Sequence, residues 1–400
     1  MKATHAERRN VSTLATAQCL FTITTITVMT LSSVIGLDLA PNPNLATLPI
    51  ALMMLATVFT TLPASLFMKR CGRRLGFTLG TLLGALGGAA MLTGLALPSF
   101  SAFCVGMFLI GLYQSFAMYY RFAAADIARP EYRSRAVSLV MVGGFAAAIL
   151  GPLNARLALN WIEPIPNGGP FAVIITLSVL AGIVLSRLDI PATDRNPENK
   201  PASSHNDTSG ASRPLGRIAR HPGFLPAVLG SSVCFTLMAL YMTVTPLGMK
   251  AQGFNMTEIT LVVQSQVLFM FGPAFITGTL IARFGLQRIL WCGVSLFSLA
   301  MLIGAFSHTV PTYMLSRIAL GVGWNFLFIG SAVLISTTHN SAERGKVQGI
   351  NDMAMFSLVT VGSISAAALL HRLGWSGLHL ASLIPLALVA LALLNLRRAT

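Results

Sequence analysis

The sequence predicts an all-α membrane protein: twelve transmembrane helices in two pseudo-symmetric six-helix halves. Three observations carry this. Hydrophobic residues make up 54% of the 400 and charged residues only 10%, where an ordinary soluble domain has about 25% charged. Apolar stretches long enough to cross a hydrocarbon core of about 30 Å recur along the chain. Segments of the first half reappear, in order, in the second, which is the mark of a duplicated unit.

The stretches cover 12–37, 46–68, 76–97, 102–126, 136–158, 170–188, 223–248, 257–282, 289–307, 312–337, 347–370 and 377–396. Each is expected to be helical, because inside lipid every backbone polar group must be satisfied within the segment. Several exceed a strict span and are expected to tilt or to project into the cytoplasm. The first follows Lys2, Arg8 and Arg9 as a secretory signal core would. It is far longer than the roughly 7–15 residues of such a core, so it reads as the first span.

The formal charge of +15 is not a nucleic-acid signature, because the basic residues alternate loop by loop rather than clustering on one soluble face. Arg156, Lys250, Arg317 and Arg372 fall in or next to external segments and Arg121 falls inside a span. The other 22 of the 27 Lys and Arg lie in segments that are cytoplasmic if the N-terminus is inside. That bias places both termini in the cytoplasm of a multi-pass protein of the bacterial inner membrane. Cysteines 19, 71, 104, 234 and 292 lie in spans or, for Cys71, in a cytoplasmic loop, so no disulfide framework is expected.

Composition changes between Asp189 and Pro222. The run "DIPATDRNPENKPASSHNDTSGASRP" is rich in Pro, Asn, Ser and charge and is expected to be a mobile cytoplasmic linker. The domains are therefore 1–188, 189–222 and 223–400. Across the linker, "GLYQSF" (111–116) is answered by "GVGWNF" (321–326), "SLFMKRCGRR" (65–74) by "GTLIARFGLQ" (278–287), and "PEYRSRA" (130–136) by "SAERGKV" (341–347), at nearly constant offset.

Six plus six spans, a hydrophilic central loop and a basic turn between spans 2 and 3 resemble the major facilitator superfamily. The family's pattern for that turn, G-x-L-x-D-R-x-G-R-R, meets Ser65, Phe67, Lys69, Arg70, Gly72, Arg73 and Arg74 here, and Gly278, Leu280, Ala282, Arg283 and Gly285 in the second copy. The family's acidic position is thus Lys69 in one copy and Ala282 in the other. The resemblance implies two helical halves, a substrate site near the midplane and exchange of access between the two sides. The run 39–77 with "YYRFAAAD" (119–126) further resembles a proteobacterial branch that includes riboflavin transporters. That vitamin has a planar aromatic face and a polar chain.

Charge in or near a span is functional by default. Arg121 and Asp126 are five residues apart, so at 100° per residue they point to different faces and do not form an i,i+4 pair. Asp126 falls at the cytoplasmic boundary, level with the basic turn. The resemblance implies that it engages Arg73 or Arg74 as a gate; the alternative is a local pair with Arg129. By the same resemblance, Lys69 would face Asp352 as a latch with its charges exchanged. The alternative is that Asp352 favours only its own helix N-terminus. Arg121 either faces the cavity and binds an anionic or hydrogen-bonding part of the solute, or snorkels to the headgroups. Further candidates to line a substrate site are Tyr113, Gln114, Tyr119, Tyr241, Gln266, Trp324 and Asn325. Each could equally be packing or interhelical glue.

No carboxylate falls at a midplane, which argues against an exporter of cationic drugs and leaves proton coupling without an evident carrier. Gly76, Gly80, Gly84 and Gly88 form a stripe that lets another helix approach span 3. At 151–154 the chain reads "GPLN", where the family's exporters carry further glycines, so the reading leans to import. There is no nucleophile–base spacing, no metal cluster and no phosphate loop, so neither enzymatic activity nor a cofactor is expected. The sequence reads as a monomeric secondary transporter of a small organic solute, best matched by riboflavin uptake. Alternatives are an efflux carrier for another small organic molecule and a non-transporting membrane protein of the same fold.

Overall fold

The computed structural model describes residues 4–188, 215–339 and 343–399. Among them there is helix and no strand. Contacts gather the chain into two compact units, Met1–Asn206 and Asp207–Thr400.

The first unit opens with α1 (His5–Leu39), which starts at a capping box: the Thr4 hydroxyl accepts from the Glu7 N–H, and the Glu7 carboxylate accepts from the Thr4 N–H. This reciprocal pair satisfies two of the donors that a helix start leaves free. A 3₁₀ turn (Pro43–Leu45) leads into α2 (Leu48–Cys71). Gly72, at φ +91°, ends α2 and begins α3 (Arg73–Ala96). Then follow α4 (Phe100–Ala117), α5 (Tyr120–Ile127), α6 (Pro130–Leu157) and α7 (Gly169–Ser186). The expected span 102–126 carries a turn at Met118–Tyr119, both of helical backbone, and still runs as one candidate span, Phe100–Ala124.

Of the expected linker, residues 189–214 lie outside the described residues, and α8 (Leu215–Ala219) forms in its last part. The second unit continues with α9 (Phe224–Ala251), α10 (Met256–Phe271), α11 (Ala274–Phe284), α12 (Leu286–Ala305), α13 (Val310–Ser336), α14 (Arg344–Ala381) and α15 (Leu383–Ala399). Pro273 has no N–H to continue α10, and α10 and α11 meet at a bend of 44°. Gly374, at φ +68°, interrupts α14.

Each of the twelve apolar stretches coincides with helix, but length and hydropathy alone do not return twelve spans. Among the described residues nine helices pass that test, or ten if the bent pair α10–α11 is one span. The shortfall has two causes. Of α6, the described apolar stretch is Val142–Leu157, too short to pass alone. The run through α14 and α15 counts once, although Gly374 divides it.

Within the first unit α1 packs on α6, α3 on α4 and α7, and α2 on α4. The glycine stripe of α3 makes the α3 contacts possible. A Cβ at Gly80 would strike Phe116 of α4, one at Gly84 would strike Tyr113 of α4, and one at Gly88 would strike Ile175 of α7. In the second unit α9 packs on α14, α12 on α13, and α10 on α13. These are the pairings of the first unit in duplicate, span for span.

Candidate functional site

In the first unit the turn between α2 and α3 lies beside α5. Arg73 donates to the Asp126 carboxylate, and both side chains are part-exposed. The local alternative, Asp126 with Arg129, is not what forms. Arg129 turns instead to Glu7: its backbone N–H donates to Glu7 Oε1 at 3.1 Å, and its Nε lies 3.5 Å from the same oxygen. Glu7, only 7% exposed, therefore ties the start of α1 to the α5–α6 junction. The sequence reading passed it over, although "THAE" at 4–7 has the T-x-x-E spacing of a capping box. Lys69 and Arg74 are exposed at the same turn. Asp352 lies nine residues into α14, too far from its start for the macrodipole, which fades within the first turn. Its proposed partner Lys69 belongs to the other unit.

The remaining candidates of the first unit separate by burial. Tyr113 is wholly buried, with its ring edge-on to Phe21 at 5.0 Å. It sits in the core with Phe77, Phe116 and Tyr120, and its hydroxyl has no hydrogen bond among the described residues. Gln114, the next residue, is part-exposed, and its Oε1 is buried without a hydrogen bond among the described residues. The Tyr119 hydroxyl donates to the Thr61 carbonyl of α2 at 3.1 Å. The Arg121 guanidinium lies over the exposed ring of Phe122, 4.9 Å from its centre.

In the second unit Asn325 and Tyr241 are internal ties, and Gln266 is only partly satisfied. Gln266 is wholly buried, with its amide nitrogen toward Met270 Sδ at 3.8 Å and its Oε1 without a hydrogen bond among the described residues. Asn325 accepts from Thr277 Oγ1 at 2.5 Å and donates to the Met270 carbonyl at 2.7 Å, so it clamps the α10–α11 bend to α13. The Tyr241 hydroxyl shares a hydrogen bond with Ser382 Oγ at 2.9 Å. An amide or phenol saturated in this way is glue rather than a free ligand contact.

Trp324 is different. It sits near the middle of α13, about 21 Å from the helix start, and its Nε1–H has no acceptor among the described residues. Its ring stacks on Phe328 at 4.7 Å and 11°. Phe235 of α9 approaches Trp324, Phe328 and Phe356 of α14 at 6.2, 5.8 and 6.0 Å, and Phe271 closes on Trp324 at 6.3 Å. The four phenylalanines are part-exposed. One turn along, Ser231 donates to Asn351 Oδ1 at 2.7 Å. The result is an aromatic wall with one unused indole donor and a polar end, which suits a flat heteroaromatic ring carrying carbonyl groups. The four phenylalanines were missed because, in a chain with 23 of them, nothing in sequence spacing sets these apart.

The comparisons with known proteins agree with this architecture. The sequence model of the Major Facilitator Superfamily matches residues 14–273 and 227–400. The riboflavin transporter RfnT of Brucella anthropi is 38% identical over 374 residues, covering 94% of this chain and 92% of its own. An uncharacterized MFS-type transporter of Bacillus subtilis, YddS, is 26% identical over 86% of this chain and 80% of its own. Among solved structures, a POT family transporter in complex with 5-aminolevulinic acid superposes with a TM-score of 0.78 at 11% identity, covering 98% of this chain and 97% of that one. A D-xylose–proton symporter does so with 0.70 at 17%, covering 96% of each; at such identities the likeness is one of fold. This multi-pass membrane chain is a transporter rather than an enzyme, and it belongs to the major facilitator superfamily.

Proposed function

We propose that the chain imports riboflavin across the inner membrane by alternating access. The observation that carries this reading is the 38% identity to a riboflavin transporter across nearly the whole of both chains. The aromatic wall of the second unit supports it. Trp324, Phe328 and Phe235 offer faces and edges to an isoalloxazine ring, and the unused Trp324 N–H matches one of its carbonyl oxygens. An aromatic pair is worth about 0.5–1.5 kcal/mol beyond the area that it buries. In the first unit, taken by itself, Arg121 and Gln114 remain the proposed polar contacts to a solute.

The test is growth of a riboflavin auxotroph at limiting vitamin, together with accumulation of labelled riboflavin. The wild-type chain should restore growth. Trp324→Leu should raise the half-saturation about tenfold, the equivalent of 1.4 kcal/mol. Arg121→Lys keeps the charge but loses the planar fork of donors, and should raise it several-fold; if Arg121 only snorkels, lysine replaces it without effect. Protein present in the membrane with neither growth nor accumulation would refute riboflavin as the solute and leave the family assignment standing.

A further inference from the structure

Among the described residues, the second unit buries a positive charge with no carboxylate at ion-pair distance. Arg317, in the third turn of α13, is wholly buried. It donates to Ser316 Oγ at 2.9 Å, to Thr245 Oγ1 of α9 at 3.2 Å and to His379 Nε2 of α14 at 3.2 Å. Its guanidinium lies 4.7 Å from the centre of the Tyr241 ring. All of these partners are neutral, and neither Arg317 nor His379 has a carboxylate within ion-pair distance among the described residues. A lone charge in such a place is costly, and its retention points to function.

The hydrogen bonds fix the protonation state of His379. Its Nδ1 lies 2.9 Å from the Trp375 carbonyl, which can only accept, so Nδ1 carries the hydrogen. Its Nε2 faces the guanidinium, which can only donate, so Nε2 is bare. The imidazole is therefore neutral here, and a proton on Nε2 would set N–H against N–H and charge against charge. Protonation of His379 and its bond to Arg317 exclude one another. Such an exclusive pair makes a two-state element.

We propose that Arg317 and His379 form the site at which this carrier takes up a driving proton. When Arg317 withdraws, Nε2 accepts a proton from water while Nδ1–H keeps its bond to Trp375. When Arg317 returns, the proton is expelled from Nε2 to water. The other groups facing the imidazole are Tyr241 from α9 and Tyr313 beside Trp375 from α13. From α12 the backbone at Gly304 approaches it, and the one charged side chain of that helix, Arg288, is about 24 Å further along. Lys250 lies beyond Thr245 on α9, and His371 and Arg372 are exposed earlier on α14. On the topology expected from the loop charges, the pair lies toward the outer face, where an inward proton gradient would load it.

Trp375 provides a reporter that needs no solute, because its ring lies 4.4 Å from that of His379 and a protonated imidazole quenches an indole it touches. In bilayer-reconstituted protein with Trp161, Trp291 and Trp324 replaced by Phe, acidification should quench Trp375. The quenching should be lost in His379→Gln, whose amide can still accept from Arg317, and should set in at milder acidity in Arg317→Gln. In proteoliposomes made with wild-type protein, an inward gradient of one pH unit should drive up to about tenfold riboflavin accumulation for one proton per solute. His379→Gln should lose that gradient-driven part while still exchanging riboflavin. Fluorescence indifferent to pH in both the three-Phe parent and Arg317→Gln would overturn the proposal, and so would unchanged quenching in His379→Gln. Wild-type uptake indifferent to the gradient would overturn it as well. Riboflavin uptake absent from every preparation would instead refute the solute proposed above, and the fluorescence titration would then decide the proton site alone.

Discussion

At the scale of the residue, two glycines of the first unit show two reasons for having no side chain. Gly72 has φ +91° and open space where a Cβ would stand, and Gly285, its counterpart in the duplicated turn, has φ +86° and the same openness. There the backbone conformation alone requires glycine. Gly84 has ordinary helical backbone, but a Cβ would run into the Tyr113 ring and Ser178. Gly72→Ala should therefore cost about 1–3 kcal/mol through the backbone, and Gly84→Val about 1–3 kcal/mol through overpacking. Thermal unfolding in detergent should show both losses, and shortening Tyr113 to Leu should recover part of the second but none of the first. The same residues mark how far a sequence can be read. The four-residue recurrence of glycine announced a close helix contact, because that depends on spacing alone. That Tyr113 would fill the contact depends on which side of α4 meets α3, and spacing along one helix does not carry this. Arg317 was read as a residue beside an external segment and is wholly buried, since its partners beyond its own helix come from two other stretches of chain, α9 and α14.

At the scale of the element, the turn between α4 and α5 matters most. An apolar run gave the span, but it could not show a turn at Met118–Tyr119, since no proline or glycine stands there. Although Phe100–Ala124 still passes as one span, the turn there sets off α5 as an eight-residue helix. Its Asp126 meets Arg73 at the start of α3, and Arg129 just beyond it meets Glu7 at the start of α1. The Arg73–Asp126 side chains are 29% and 40% exposed, and an ion pair so exposed contributes about 0–1 kcal/mol to stability. Its loss should leave the fold intact. If the pair holds one state of the transport cycle, Asp126→Asn and Arg73→Ala should each lower the maximal uptake rate several-fold, at unchanged membrane level and unchanged melting temperature, with no further loss in the double variant. Independent, multiplying losses would mean that the two residues act separately. Glu7→Gln, which removes the charge at a more buried carboxylate, should lower the melting temperature as well.

At the scale of the whole molecule, the helix pairings α1–α6, α3–α4 and α2–α4 recur as α9–α14, α12–α13 and α10–α13. Three short sequence echoes at nearly constant offset were enough to suggest the repeat, because duplication preserves order even where identity has faded. Direction across the membrane is set by another property, the sign of the loops. Basic residues gather in alternate connections, and the positive-inside bias is strong for short loops close to span ends. Three connections expected outside contain no Lys or Arg near their centres: 40–46 with Asn42, 159–168 with Asn167, and 252–255 with Gly253. Connections expected inside carry Arg73 and Arg74, Arg133 and Arg135, and Arg283 and Arg288. Reporter fusions after Arg74, Arg135, Arg213 and Arg288 should therefore report cytoplasm, and fusions near Asn42, Asn167 and Gly253 should report the opposite side. The fusion at Arg135 is the sharpest, because it follows the α4–α5 segment. If that segment failed to cross, every later reporter would invert while the earlier ones kept their side, whereas a wrong starting orientation would invert all seven together. Two or more inverted sites, in any pattern short of all seven, would refute the twelve-span arrangement itself.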